Sequence, residues 1–150
     1  MTYGERAEQL FLEGYNCAQA VMLAFSDLTG IPDTQAAKLA SSFGGGMGRM
    51  REVCGALSGA FLALGAIYGY DSPEAKQEKT AHYARIQTVA GWFREKYGTI
   101  LCRELLKDPS TLPTPEDRTP EYYQGRPCLR VVREAADLTA RYIAENATKA

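Results

Sequence analysis

Four residues of this chain are suited to redox or metal chemistry: Cys17, Cys54, Cys102 and Cys128, which are all the cysteines it has. The thiolate is the form that attacks disulfides and ligates metals, so what matters is which sulfurs meet and what favours their ionisation. No two cysteines are spaced as Cys-x-x-Cys, which argues against a zinc ribbon or finger and against a thioredoxin-type motif. Any shared site must be assembled by the fold.

Each cysteine also stands at a predicted helix start. Asn16 is a capping residue just before Cys17, Cys54 follows a glycine run and Glu52-Val53, Cys102 follows the capping residue Thr99 within a turn, and Cys128 follows Pro127. A helix N-terminus offers unpaired backbone N–H groups and partial positive charge, and both favour thiolate over thiol. All four sulfurs are therefore expected in first turns. Cys54 is the preferred attacking thiolate, because it follows a glycine loop and leads the most apolar helix. Arg49, Arg51, Arg103, Arg126 and Arg130 add positive charge nearby. The bland alternative is that each cysteine is a small buried hydrophobe.

The elements that must position these sulfurs are read from helical periodicity. A first helix runs from Glu5 to Glu13 and stops at Gly14; a second carries Cys17, Val21, Ala24, Phe25 and Leu28 inward and closes at Gly30-Ile31-Pro32. Asp33 caps a third, with Ala36, Ala37, Leu39, Ala40 and Phe43 as its apolar side, up to the run Gly44-Gly45-Gly46-Met47-Gly48. A fourth starts near Arg51 or Glu52 and is apolar almost all round, which marks it as the buried central helix. Ser72-Pro73 opens a fifth, striped by Ile86, Val89, Ala90, Phe93 and Tyr97 and ended by Gly98. Thr99 caps a short helix through Leu106, which Asp108-Pro109 stops; a proline-rich loop follows to Pro127, and a last helix runs to about Glu145. No strand run competes, so the expected fold is an all-α, single-domain bundle of six to seven helices over residues 1–150.

Composition narrows the function. The 150 residues are 45% hydrophobic and 23% charged, enough for one core without disulfides or a structural metal. A net charge of −1 gives no field to collect nucleic acid or an anionic membrane. The uncharged stretch Val53–Tyr70 is diluted by four glycines and is expected to be buried in the fold, with no membrane span. A charged N-terminus without signal-peptide order points to a cytoplasmic, thiol-reducing setting. The glycine run lacks the Lys-Ser/Thr ending of a P-loop and the context of a dinucleotide fingerprint. Gly55-x-x-x-Gly59 reads as close helix packing, Ser58 has no nucleophile motif, and the single histidine, His82, reads as a packed helix residue or else a proton partner to a cysteine. Tyr122-Tyr123 either anchor the proline-rich loop or close over a pocket.

Gly14-Tyr15-Asn16-Cys17-Ala18, then Phe43-Gly44-Gly45-Gly46-Met47-Gly48, then Cys54-Gly55-Ala56-Leu57-Ser58-Gly59, followed by single cysteines at 102 and 128, resemble the redox-active protein family named for the pattern C_GCAxxG_C_C. The resemblance spans nearly the whole chain and uses every cysteine. Where the family pattern reads Gly-Cys-Ala, this chain reads Cys54-Gly55-Ala56. The resemblance implies a small bacterial or archaeal helical protein with redox-active cysteines and supplies no substrate.

The leading expectation is a thiol redox protein with an unknown redox partner. Cys17 and Cys54 form its inner pair, and Cys102 and Cys128 serve as a second pair or as resolving thiols. The alternatives are an electron-transfer or sensing module that holds an iron–sulfur cluster, less favourably zinc, on the same four cysteines, and a helical interaction module with buried, inert thiols. Gly44, Gly45, Gly46, Gly48 and Gly55 are candidate backbone contacts to a sulfur, a cluster or a small anion. The apolar helix and its small residues permit a homo-oligomer without requiring one.

Overall fold

Helices begin in this chain where a local cap, or the end of a long-range pairing, allows them to. The computed structural model describes residues 1–107 and 110–147. Among these are nine helices: α1 (Tyr3–Leu12), α2 (Cys17–Ala24), α3 (Ser26–Thr29), α4 (Asp33–Ser41), α5 (Gly55–Tyr68), α6 (Lys76–Tyr97), α7 (Cys102–Leu106), α8 (Pro120–Gln124) and α9 (Cys128–Asn146). The fold is all-α, as expected. It has two more helices than the sequence reading because the second helix breaks at Phe25 into α2 and α3, and because the proline-rich segment contains α8, capped by Thr119. The expected stop at Asp108-Pro109 lies outside the described residues; α7 ends at Leu106, with Lys107 left-handed at its cap.

α5 is the buried helix, with Ala56, Leu57, Ala60, Ala63 and Leu64 inaccessible. It packs against α2, α9, α6 and α3, while α1 lies across α2 and α9. Phe11, Val21, Phe25, Leu57, Leu64, Val89, Phe93 and Val132 join these helices in one core. Removing each of these side chains from water is worth about 1.5–3 kcal/mol. No helix among the described residues is long and apolar enough to cross a membrane.

Several boundaries differ from expectation for physical reasons. Leu39 is 50% exposed because α4 packs mainly on α2, and that needs only the narrow stripe of Ala36 and Ala40. Pro32, and not Asp33, takes the cap position of α4, leaving the Asp33 carboxylate to accept from the Ser26 hydroxyl at 2.7 Å. Ser72 forms a turn, accepting from the N–H of Glu74 on its hydroxyl and of Ala75 on its carbonyl, so α6 begins only at Lys76. Thr99 spends its hydroxyl on the N–H of Leu101. The chain then pairs Leu101 antiparallel with Val53 before either α5 or α7 can start. That pairing moves the start of α5 from Arg51 or Glu52 to Gly55 and the start of α7 from Thr99 to Cys102.

Candidate functional site

The short pairing sets two of the four cysteines. Cys54 donates its N–H to Ile100 O at 2.8 Å, and Cys102 donates to Glu52 O at 2.7 Å. These bonds bring together the N-termini of α5, where Cys54 is the cap residue, and α7, where Cys102 comes first. Cys17 opens α2 behind a reciprocal cap: Gln19 N–H donates to Asn16 Oδ1 at 2.9 Å, and Asn16 N–H donates to Gln19 Oε1 at 3.0 Å. Cys128 opens α9 directly after Pro127. The expectation that every cysteine stands at a helix N-terminus therefore holds for all four.

Between them runs the glycine segment, where Gly45, Gly46, Met47, Gly48 and Arg49 all have φ between 58° and 75°. Five successive left-handed residues are costly for side chains with a Cβ, and glycine at three of them limits that cost. The turn closes with Glu52 N–H donating to Gly46 O at 2.9 Å. It lays Gly46 against Cys102, where a Cβ on Gly46 would stand 2.7 Å from the cysteine's own.

All four cysteines line one cavity of about 80 Å³, together with Phe11, Gly45, Gly55, Arg51, Arg118, Tyr122 and Arg126. Cys17 and Cys102 each lie within electrostatic reach of the other three thiols. Gly55 makes room for Cys17: a Cβ there would meet Cys17 Sγ at 2.3 Å and Phe43 O at 2.7 Å. Gly59, one turn on, would meet Ala18 O at 2.4 Å. The Cys-Gly-Ala-x-x-Gly element is thus the surface of α5 that lets α2 and its sulfur approach, which is the close packing expected of Gly55 and Gly59.

The electrostatics correct one expectation. Backbone N–H groups do point at the sulfurs, those of Ala18 and Cys17 in α2 and of Gly45 in the glycine segment toward Cys17, and those of Leu57 and Ala56 in α5 toward Cys54. Burial outweighs them. It pushes the Cys17 and Cys54 thiols up and raises Cys128 to about 12, with neighbouring thiols adding to the rise. Cys54 is only 7% exposed, and burial raises Cys17 and Cys54 alike, so the electrostatics do not choose between them as the attacking sulfur. All four are free thiols. Arg51, itself 3% exposed, donates through Nη1 to Cys102 Sγ at 3.7 Å and through Nε to Ser110 O at 2.9 Å.

The proline-rich segment closes over this cavity. Arg118 donates to Phe11 O at 2.9 Å and Tyr15 O at 3.0 Å, and its guanidinium lies 4.3 Å from the Phe11 ring centroid and 5.1 Å from that of Tyr122. Arg126 stacks on Tyr122 at 4.8 Å and pairs with Glu116 at 2.5 Å. Of the five arginines singled out in the sequence, Arg51 and Arg126 line the cavity and Arg49 lies just beyond it. Arg103 and Arg130 are exposed, Arg103 pairing with Glu52. Arg118 was missed; its signal was a lone cation just ahead of Tyr122-Tyr123. Among the candidate glycines, Gly45 and Gly55 line the cavity, Gly46 backs Cys102, Gly44 packs on the Asn16 side chain, and Gly48 is exposed. His82 is not in the cavity wall: it sits on α6 with Nδ1 at 2.9 Å from Arg85 Nη1, so it is a half-buried helix residue and no proton partner to a cysteine. Ser58 is buried one turn into α5, its N–H donating to Cys54 O.

Fold and site together define an all-helical protein with four thiols gathered at helix N-termini around one buried cavity. The chain belongs to the family described as "Putative redox-active protein (C_GCAxxG_C_C)", whose model matches residues 15–142. No curated protein and no solved structure matches it.

Proposed function

We propose that the chain is a thiol redox protein whose centre is the Cys17–Cys54 pair, with Cys102 and Cys128 as a second pair in the same cavity. The observation that carries this is the convergence of every cysteine in the chain on one cavity. We take Cys17 in place of Cys54 as the attacking sulfur, because it is less buried than Cys54 and is faced by three backbone N–H groups. In the forward direction Cys17 loses its proton and attacks one sulfur of a partner disulfide. The partner's other sulfur leaves and takes up a proton. Cys54 then loses its proton, attacks Cys17 Sγ and releases the partner's remaining sulfur, which is protonated in turn. The protein dithiol has become a disulfide, and the partner has gained two electrons and two protons. Return to the dithiol form requires a cellular dithiol reductant and hence a thiol-reducing compartment such as the cytoplasm.

A second reading, an iron–sulfur cluster or zinc on the same four sulfurs, is favoured by the same convergence, since four cysteine ligands are the usual count for a cluster. It needs the sulfurs to close up further, because among the described residues no three of His, Cys, Asp and Glu stand together closely enough to hold a metal ion. The separating experiment is the visible spectrum, with iron and zinc content and thiol count, of protein purified without air. A colourless, metal-free protein that reversibly loses thiols two at a time supports dithiol exchange. Stoichiometric iron with sulfur-to-iron absorption bands supports the cluster. Metal-free, inert thiols would leave only a helical interaction module.

A further inference from the structure

Beside the thiol cavity lies a larger hollow of about 440 Å³, between the glycine segment and the proline-rich segment. Its lining includes the exposed residues Ser41, Gly48, Pro113, Pro115 and Glu116, so it opens to solvent. The thiol cavity, of about 80 Å³, has no exposed residue in its lining. The two spaces share a wall of Asn16, Gly45, Arg51, Arg118, Tyr122 and Arg126, and across this wall the hollow leads to the sulfurs. Pockets that take small organic ligands run to roughly 300–1,000 Å³. The hollow reaches that size and the thiol cavity does not, so what passes the wall sets what can reach Cys17 from the hollow.

Tyr122 is the one aromatic side chain in the shared wall. Its phenol lies within electrostatic reach of Cys17 and Cys128, the two thiols that are not fully buried. The ring is held from several sides. Arg118 lies 5.1 Å from its centroid and Arg126 4.8 Å, and Tyr123 meets it edge-on at 5.4 Å. The Tyr122 N–H donates to the Thr119 hydroxyl at 3.1 Å, which fixes the backbone of α8 that carries the ring. Arg118 is in turn anchored on the carbonyls of Phe11 and Tyr15. A ring packed in this way yields only when several contacts break together.

We propose that Tyr122 is a specificity-determining residue of the thiol site: its ring partitions the hollow from the thiol cavity and admits to Cys17 only groups narrow enough to pass it. This rests on the dithiol-exchange reading and sets how narrow a disulfide the partner must present.

The test compares two neutral reagents with the same reactive group, N-ethylmaleimide and the much wider N-pyrenylmaleimide, on the reduced full chain. Modified cysteines are mapped by mass, and each rate is divided by that reagent's rate with free cysteine. Thiol ionisation cancels in the ratio of the two, so a change in Cys17 acidity does not move it. Because a steric barrier acts exponentially on rate, the parent chain is expected to favour the narrow reagent at Cys17 by at least about tenfold. Tyr122→Phe keeps the ring and keeps this preference. Tyr122→Ala speeds the wide reagent and brings the preference below about threefold, while the buried Cys54 and Cys102 stay slow toward both reagents. Tyr122→Leu, which keeps apolar packing and loses the breadth of the ring, is expected to lie between, and it carries the test if the alanine variant does not fold. Four results would overturn the proposal: a parent Cys17 that reacts alike with both reagents or with neither, a preference that Tyr122→Phe abolishes, a preference that the smaller side chains leave unchanged, or variants in which all four cysteines react faster with both reagents alike, which marks a general cover and no filter. Alkylation needs no exchange. If the preference follows the ring but thiols are not lost in pairs to hydroxyethyl disulfide, the filter stands and dithiol exchange fails. If thiols are lost in pairs and no preference is found, exchange stands and the filter fails.

Discussion

The sulfur of Cys17 rests on the bare Cα of Gly55, where any Cβ would approach it to 2.3 Å. That contact sets the first residue of α2 against the first residue of α5, and so Cys17 beside Cys54. The glycine that follows Cys54 is thus as much a part of the site as the cysteines are.

Gly55→Ala and Gly59→Ala are expected to destabilise the protein by about 1–3 kcal/mol each, the usual range for overpacking. Gly59→Ala is expected to be the more costly for the fold, because its Cβ would meet the Ala18 backbone at 2.4 Å, whereas Gly55→Ala meets the sulfur first and should change Cys17 reactivity most. Gly91→Ala, with open space in α6, serves as the control and should stabilise by about 0.5–1 kcal/mol. Denaturant unfolding with a thiol-reactivity assay on each variant checks both effects.

Loss of the cap on α2 should cost stability and precision at Cys17 together. Asn16 satisfies the N–H of Gln19, and its amide also donates to Ser41 O at 3.2 Å, tying α2 to the end of α4. Asn16→Ala is expected to cost about 0.5–2 kcal/mol, while Asn16→Asp, which keeps the acceptor for Gln19 and loses the donor to Ser41, should cost less. Thermal unfolding of the two variants provides the comparison.

The thiols make stability fall at high pH. Burial raises Cys17, Cys54 and Cys128 in the folded state, Cys128 to about 12 against an ordinary 9.0, so between these values the folded protein holds protons that the unfolded chain has released. Stability from this source is therefore intact below about pH 9 and declines as the pH climbs toward 12. Tyrosines whose ionisation is also raised contribute in the same window, Tyr97 and Tyr122 among them. Cys128→Ser should flatten the decline relative to the parent chain, and melting temperatures of both across this range test it.

Arg51 links the thiol cavity to the segment that covers it. Replacement by Met removes the donor to Cys102 Sγ and the bond to Ser110 O, and should slow alkylation of Cys102 while speeding proteolysis near residue 110. Lys, a single point of charge without the fork, should restore part of the Cys102 reactivity and little of the protection. Mapped alkylation rates across a pH series distinguish a changed thiol from a loosened fold.

What could be read in the sequence was what is local. Asn16, Pro127 and Gly98 act on the residues next to them, so the helices they begin or end, and with them the helix-terminal positions of Cys17 and Cys128, were visible without a fold. The Val53–Leu101 pairing joins residues far apart in sequence, and it displaced the starts of α5 and α7 that Glu52 and Thr99 had suggested. Arg118 reaches back to Phe11 and Tyr15 across most of the chain, beyond any periodicity. The sign of the thiol shifts was hidden for the same reason. Helix N–H groups are a property of the segment, whereas the desolvation that outweighs them is a property of the packed cavity.

The central claim is that Cys17 and Cys54 exchange electrons as a pair. The most direct measurement is a redox titration of the reduced, air-free protein against a dithiol–disulfide buffer, with free thiols counted and linked peptides mapped at each potential. The predicted result is a first loss of two thiols together, recovered on reduction, that joins Cys17 to Cys54 and disappears in Cys17→Ser. The contrary result is four thiols that stay reduced at every potential, or a first disulfide that forms without Cys17.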